Sequence, residues 1–283
     1  MDCQLKTMTQ ILRTKFLFVS FFSILLLSYG CTKEEGEEEP YSNIRFRISE
    51  YIPYDLGYTD KSEDFYYTNN RLTKVVTTQI TTTTAFPPHI DKDTVQIEYN
   101  IIYSGERVSI VENEGSELTY TLNKEGHAEK CSLDGYGSTN TRYHNFTYTP
   151  EGMLSGIEEV DNTFHCTYNI DYENNDIVKS TLRQYDTDFP TNYITGSIEN
   201  KENFPCPMII EAYPVYFHRI AFYAGILGKL SGHLIEKAVP EGATNENTTY
   251  SYKTDTKGHV TSCIQKTTSY GYVYNREIEY KYY

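Results

Sequence analysis

The chain lacks the signatures that usually announce a catalyst. It holds no G-x-S-x-G, no H-E-x-x-H and no phosphate-cradling glycine loop, which removes the common esterase, zinc-protease and nucleotide-binding readings. Cysteine is scarce, six in all with no C-x-x-C pair, so neither a zinc ribbon nor a dithiol redox centre is implied. The seven histidines are scattered one per segment and read as turn or surface residues rather than bases. Cations are few. Without residues 1–31, which take away three basic residues and Asp2, 22 Lys and Arg face 38 Asp and Glu, a net charge of −16. Such a body is repelled by phosphate backbones, so nucleic acid is excluded as a partner. Nor is there an apolar run of the roughly 20 residues that a membrane-crossing helix needs. The longest, Phe16 to Leu27, is well short of it.

That short run has a specific meaning. Lys6, Arg13 and Lys15 precede it and Ser28-Tyr29-Gly30-Cys31 follows it, the layout of a secretory signal. The last five residues, Leu27 to Cys31, resemble the lipobox cut by lipoprotein signal peptidase, although Ser28 stands where that pattern usually has leucine. The resemblance implies cleavage after Gly30 and acylation of Cys31, with chains such as palmitate holding the body to a membrane. Thr32 to Pro40 then carries Glu34, Glu35, Glu37, Glu38 and Glu39, a self-repelling, solvated tether. It also resembles the acidic export tag of Bacteroidetes lipoproteins displayed on the cell surface. The expected organisation is a signal peptide over 1–30, a lipidated cysteine and tether over 31–40, and one domain over 41–283.

Downstream, one pattern recurs: an alternating, tyrosine-rich strand, a polar turn closed by Gly or Asn, and a second alternating strand. Val95, Ile97, Tyr99, Ile101 and Tyr103 share one face, with Gln96, Glu98 and Asn100 opposite, before Ser104-Gly105. Leu118, Tyr120 and Leu122 precede Gly126, Phe146 and Tyr148 precede Gly152, and Phe164 to Tyr172 precedes Asn174-Asn175. Period-two alternation gives half-buried strands, and Gly or Asn supplies the positive φ of tight hairpins. Turn spacings of 21, 26 and 23 residues, measured at Gly105, Gly126, Gly152 and Asn175, fit a β-meander better than a solenoid.

Between Asp186 and Asn247 the pattern stops. Phe189-Pro190 and Pro205-Cys206-Pro207 read as loop, and Tyr216, Ile220, Tyr223, Leu227, Leu230 and Leu234 fall at helical steps. Phe217, Phe222 and Ile226 make this helix, near 214–235, apolar almost all round, so it should be buried. The fold class is therefore mainly β: an antiparallel meander curling into a barrel or half-barrel around one buried helix, with Ile220, Tyr223 and Leu227 against strand tyrosines.

Several residues invite chemistry. His127-Ala128-Glu129 with Pro205-Cys206 echoes a deaminase zinc motif, but the second cysteine is missing. Asp171, Glu173, Asn175 and Asp176 resemble part of a calcium loop, yet Asp176 occupies the glycine position, so a solvated turn is the better reading. Glu158, Glu159 and Asp161 could pair for glycoside hydrolysis only if they face one another. Asp93-Thr94-Val95 resembles a short O-glycosylation motif centred on Thr94. Cys166 shares a strand face with Phe164, Tyr168 and Ile170 and should be a buried thiol, whereas Cys131 and Cys263, each five residues past a turn glycine, should be more exposed. Four cysteines, with Cys206, allow three pairings among which sequence does not choose.

Taken with Tyr223-Ala224-Gly225-Ile226-Leu227-Gly228-Lys229-Leu230 before the last hairpins, the chain resembles a family of Bacteroidetes lipoproteins of unknown function with a porin-like β fold. The hairpins also resemble the tyrosine-rich repeats of large secreted shell proteins. The resemblance implies an outer-membrane location, lipid-anchored and facing the cell surface, and brings no cofactor, metal or catalytic residue. The functional readings are a binding module for glycan or protein, a polysaccharide-acting hydrolase, and a structural envelope protein.

Overall fold

The computed structural model describes residues 44–54, 57–85, 89–113, 115–134, 142–160, 165–243 and 245–283. The signal segment, Cys31, the acidic tether, Asp161 and Phe164 lie outside these. Sixteen strands form a closed antiparallel barrel in sequence order. They are β1 (Ile44–Tyr54), β2 (Gly57–Thr68), β3 (Arg71–Ala85), β4 (His89–Ser104), β5 (Arg107–Glu112), β6 (Glu117–Leu122), β7 (Ala128–Asp134) and β8 (Tyr143–Tyr148). There follow β9 (Leu154–Val160), β10 (His165–Glu173), β11 (Asp176–Gln184), β12 (Thr187–Glu199), β13 (His233–Pro240), β14 (Asn247–Thr254), β15 (Val260–Ser269) and β16 (Tyr272–Tyr282). β1 pairs with β16, Ile48 opposite Tyr280, so the barrel is complete rather than half.

The alternation decides which side faces in. Phe65, Val75, Ile101, Val108, Tyr120, Ile157, Tyr168, Tyr250 and Ile278 point into the lumen and are buried. Outward positions are mostly polar or charged, with Ile102, Ile194 and Ile264 among the exposed apolar exceptions: Arg47 pairs with Asp64, Lys74 lies 3.9 Å from Glu98, and Lys179 lies 3.0 Å from Glu241. No helix of the described residues is long and apolar enough to cross a membrane.

The inward tyrosines have a second task. Tyr103, Tyr148, Tyr172, Tyr252 and Tyr282 each sit at the end of an even-numbered strand, and each donates its hydroxyl to a carbonyl near the start of the strand before it. The acceptors are Leu72, Ala128, Leu154, Ile235 and Val260, at 2.7 to 3.1 Å. The ring fills the lumen while the hydroxyl ties down a strand end that would otherwise fray. Leu122 takes this place on β6 and packs without a hydroxyl.

Because successive strands reverse, turns alternate between two rims. One rim carries the turns at 69–70, 104–106, 123–127, 149–153, 174–175 and 255–259, with the start of β1 and the end of β16. The other carries those at 113–116, 185–186, 241–246 and 270–271. Residues 200–232, between β12 and β13, leave the first rim and enter the lumen.

This insertion is the plug that the sequence pattern anticipated, but it is not one helix over 214–235. It is built from α1 (Pro207–Ile210), a 3-10 turn (Val215–His218) and α2 (Arg219–Tyr223), followed by an irregular leg, and Leu234 already belongs to β13. Gly225 and Gly228, both at left-handed φ, end the helical path, and a Cβ on Gly228 would lie 2.5 Å from the Gly152 carbonyl oxygen. Ile209, Val215, Ile220, Ala221, Phe222, Ile226, Leu227 and Leu230 are all buried, and the Tyr223 ring meets Phe65 edge-on at 4.8 Å. The last leg closes its rim by backbone hydrogen bonds: Ala128 N–H to the Ile226 carbonyl (2.7 Å), Leu154 N–H to Lys229 (3.0 Å) and Gly232 N–H to Asn175 (2.8 Å).

Other expectations are corrected by the same geometry. Phe189-Pro190 lies within β12 rather than in a loop. Cys131 and Cys263 are as buried as Cys166, because each occupies an inward position, opposite His144 and Ile278. The four described cysteines outside the tether are free thiols.

Tyr172→Phe should lose one hydrogen bond and cost about 1 kcal/mol in urea denaturation. Leu227→Asp should leave no folded protein, because an unpaired carboxylate in this core costs several kcal/mol against a total of about 5–15. Equal midpoints for both variants and the wild type would contradict the assigned packing.

Candidate functional site

Two polar clusters join the plug to the wall. In the first, Arg142 just before β8, His144 on β8 and Glu159 on β9 meet Tyr120 of β6 and Tyr213 and His218 of the plug. Arg142 Nε donates to Glu159 Oε1 (2.5 Å) and Arg142 Nη2 approaches the Tyr213 hydroxyl (2.5 Å), which itself donates to Glu159. His144 Nδ1 lies 2.5 Å from His218 Nε2, and His218 Nδ1 lies 2.9 Å from the Tyr120 hydroxyl. A carboxylate only accepts, so the chain is assigned as Tyr120 O–H to His218, His218 Nε2–H to His144, and His144 Nε2–H toward Glu159 at 3.7 Å.

Both histidines are fully buried, contrary to the surface role their scatter in the sequence suggests. Burial holds them neutral, lowering His144 and taking His218 well below the usual range. Burial alone would raise Glu159, but the bonds from His144, Tyr213 and Arg142 outweigh it and hold its carboxylate below the ordinary range. Glu159 is therefore an ionised clasp rather than a proton donor. Glu158, one residue earlier, points outward, bonded to Asn145 (3.0 Å) and His165 (3.0 Å). Adjacent strand residues face opposite sides, so Glu158 and Glu159 do not face one another as a glycosidase pair would.

The second cluster lies on β1, β2 and β16. Arg219 of the plug pairs with Glu63, Arg276 bridges Glu50 (2.6 Å) and Glu211, and Lys61 lies 3.6 Å from Glu63 and 4.0 Å from Glu50. Burial beside Arg219 brings Lys61 down to about 8. Three acids balance three cations, which is how buried charge is tolerated.

Above these clusters, toward the rim that the plug does not close, the lumen is open. The register shows it. Thr77 opposite Ile97 and Gln79 opposite Val95 continue the inward face of Val75, yet Val95 is 45% exposed. Thr267 opposite Tyr274 continues the inward face of Cys263 and Ile278, yet Tyr274 is 56% exposed. Phe189, inward opposite Leu182, is 53% exposed. Inward positions are wet here because the plug stops below them, leaving a vestibule. Its floor is the aromatic group Tyr213, Tyr216 and Phe217, with Tyr216 and Phe217 rings 4.1 Å apart and Tyr216 46% exposed. Between this floor and β4 to β6 lies a cleft of about 210 Å³ lined by Tyr99, Glu112, Ser116, Tyr216 and Phe217 among others.

The remaining sequence candidates lie elsewhere. Asn174-Asn175 form a left-handed turn, and Asp176 accepts from the His233 N–H (2.8 Å) and the Ser231 hydroxyl (3.2 Å), so that acidic stretch anchors the plug. His127 stacks on Tyr148 at the closed rim, and Cys206 is buried in the plug. Thr94 is exposed on β4, on the opposite side from Val95. The vestibule left a trace in the sequence: apolar alternation in β4, β12 and β16 that runs past the length the plug can cover.

The neutral histidine pair sets a pH dependence. Unfolded histidine takes a proton near pH 6.5, whereas His144 and His218 resist it in the fold. The unfolded state thus binds more protons below that pH, and stability falls as pH falls. Between pH 6.5 and 5 the loss should approach about 1.4 kcal/mol per pH unit for each histidine. His144→Gln should reduce that slope; a slope unchanged by it would place the titration elsewhere.

None of the curated proteins compared matches this chain. A crystal structure of a porin-like protein from Bacteroides uniformis ATCC 8492, at 2.32 Å resolution, matches it with a TM-score of 0.75 and 26% identity, covering 85% of this chain and 98% of that one. The similarity agrees with the resemblance read from the repeats and the apolar segment after Tyr223. Residues 64–262 match the family described as a domain of unknown function (DUF4595) with porin-like fold, and the chain belongs to that family.

Proposed function

We propose that this protein is a lipid-anchored envelope binding module, held by acylated Cys31, whose barrel stands outside the bilayer and presents its vestibule to ligand. The observation that carries the reading is the pairing of a filled lumen with a polar exterior. A membrane-spanning barrel shows lipid an apolar band about 25 Å tall and keeps its polar groups inside. Here the outward face carries Arg47, Asp64, Lys74, Glu98, Glu158 and Lys179, and each charge of this kind costs up to roughly 2–4 kcal/mol at a bilayer midplane. The plug also denies the lumen to conduction.

β1 begins at the closed rim, and the vestibule opens at the opposite one. The acidic run from Glu34 to Glu39, read as an export tag, supports display of the protein at the cell surface. The hydrolase alternative draws less support, since Glu158 and Glu159 are split between faces and Glu159 is clamped in its ionised form.

The Cys31→Ser chain should appear in the soluble envelope fraction without detergent and should leave the conductance of planar bilayers unchanged. Sedimentation of this variant with membranes, or channel activity, would show a bilayer-embedded barrel and overturn the reading.

A further inference from the structure

Resting on the vestibule as the binding site, we infer that its ligand is a neutral saccharide chain, stacked on Tyr216 at the floor and Tyr274 on the wall. The aromatic surfaces come first. Tyr274 points inward from the wall and Tyr216 lies on the floor, and both are about half exposed, whereas the inward tyrosines Tyr120, Tyr168, Tyr193 and Tyr250 are buried. Wet aromatic rings inside a concave wall offer their faces to C–H groups and their hydroxyls to polar partners.

Charge then narrows the class. Among the described residues, the cations around this part of the lumen, Lys61, Arg142, Arg219 and Arg276, each already face a carboxylate. An anionic ligand would have to displace an internal partner and approach a body of net −16. That argues against phosphorylated, sulfated and uronate-rich ligands alike. Glu50, Glu63 and Glu159 are committed to those same cations, so the carboxylate that the cleft itself presents is Glu112, an acceptor for ligand hydroxyls.

Topology limits the holding of a peptide by strand addition: where the strands pair on both sides the wall has no free edge, and the edges left open lie out at the rim, on β4 before Glu98 and on β16 before Glu277. What the vestibule does offer between its rings is side-chain amide and hydroxyl: Gln79 beside Val95 on the wall and Thr267 beside Tyr274. Uncharged, two-faced, hydroxyl-bearing ligands match that lining, and saccharides are that class.

The test is an array of neutral hexose and N-acetylhexosamine chains beside uronate and sulfated ones, probed with the full lipidated chain in a sugar-free detergent and with its Tyr216→Ala and Tyr274→Ala variants. Both tyrosines are about half exposed, so the variants should still fold and unfold in one cooperative transition. Wild type should retain neutral glycans, and each variant should bind them at least tenfold more weakly. Retention of acidic glycans alone, or of none, would overturn the ligand class. Equal retention by wild type and both variants would instead show that the site is not the vestibule, and would take the proposed binding surface down with it.

Discussion

A sixteen-strand barrel is wider than its own side chains can fill. Barrels of this size leave an aqueous channel, yet here the inward face is tyrosine, isoleucine, valine and phenylalanine, which water would not stabilise. The plug of residues 200–232 resolves the conflict, and most other features depend on it. It buries the tyrosine face, supplies the partners of His144 and Glu63, and seals one rim through backbone hydrogen bonds to β7, β9 and the turn after β10. Because it ends short of the other rim, it also defines the vestibule.

The polarity of the wall is thus opposite to that of a pore. Charges that a porin would turn toward its channel lie outside, and the apolar residues that would meet lipid lie inside against the plug. The wall charges that do point inward, such as Glu50, Glu63, Glu159 and Arg276, meet polar groups of the plug and of one another. Tyrosine is the economical residue for such a wall, because one side chain fills a wide lumen and still reaches a strand-end carbonyl.

Much of this was legible in the sequence. The period-two tyrosines gave strand faces that hold in β4, β6, β8, β10, β14 and β16, and the Gly and Asn turns gave a meander. The apolar segment after Pro214 was recognisable as filler. Its form was not, because helical spacing over Tyr216 to Leu234 also arises when two short helical turns and an extended leg line the same core, and only Gly225 and Gly228 marked the break. Distance from a turn glycine misplaces Cys131 and Cys263, because strand parity decides burial. Parity would also have separated Glu158 from Glu159. The His144–His218 contact joins residues 74 apart and has no local pattern to betray it.

The central claim is that plug and wall form one cooperative unit. Native-state amide hydrogen exchange on the folded protein tests it most directly, at the N–H groups of Ala128, Leu154, Lys229 and Gly232, which are the donors between wall and plug. If the account is right, these amides exchange only with global unfolding, at the same free energy as the central amides of β6 and β10. Rapid exchange at all four while the strands stay protected would mean that the plug leaves the lumen on its own, and the barrel would have to be regarded as an openable channel.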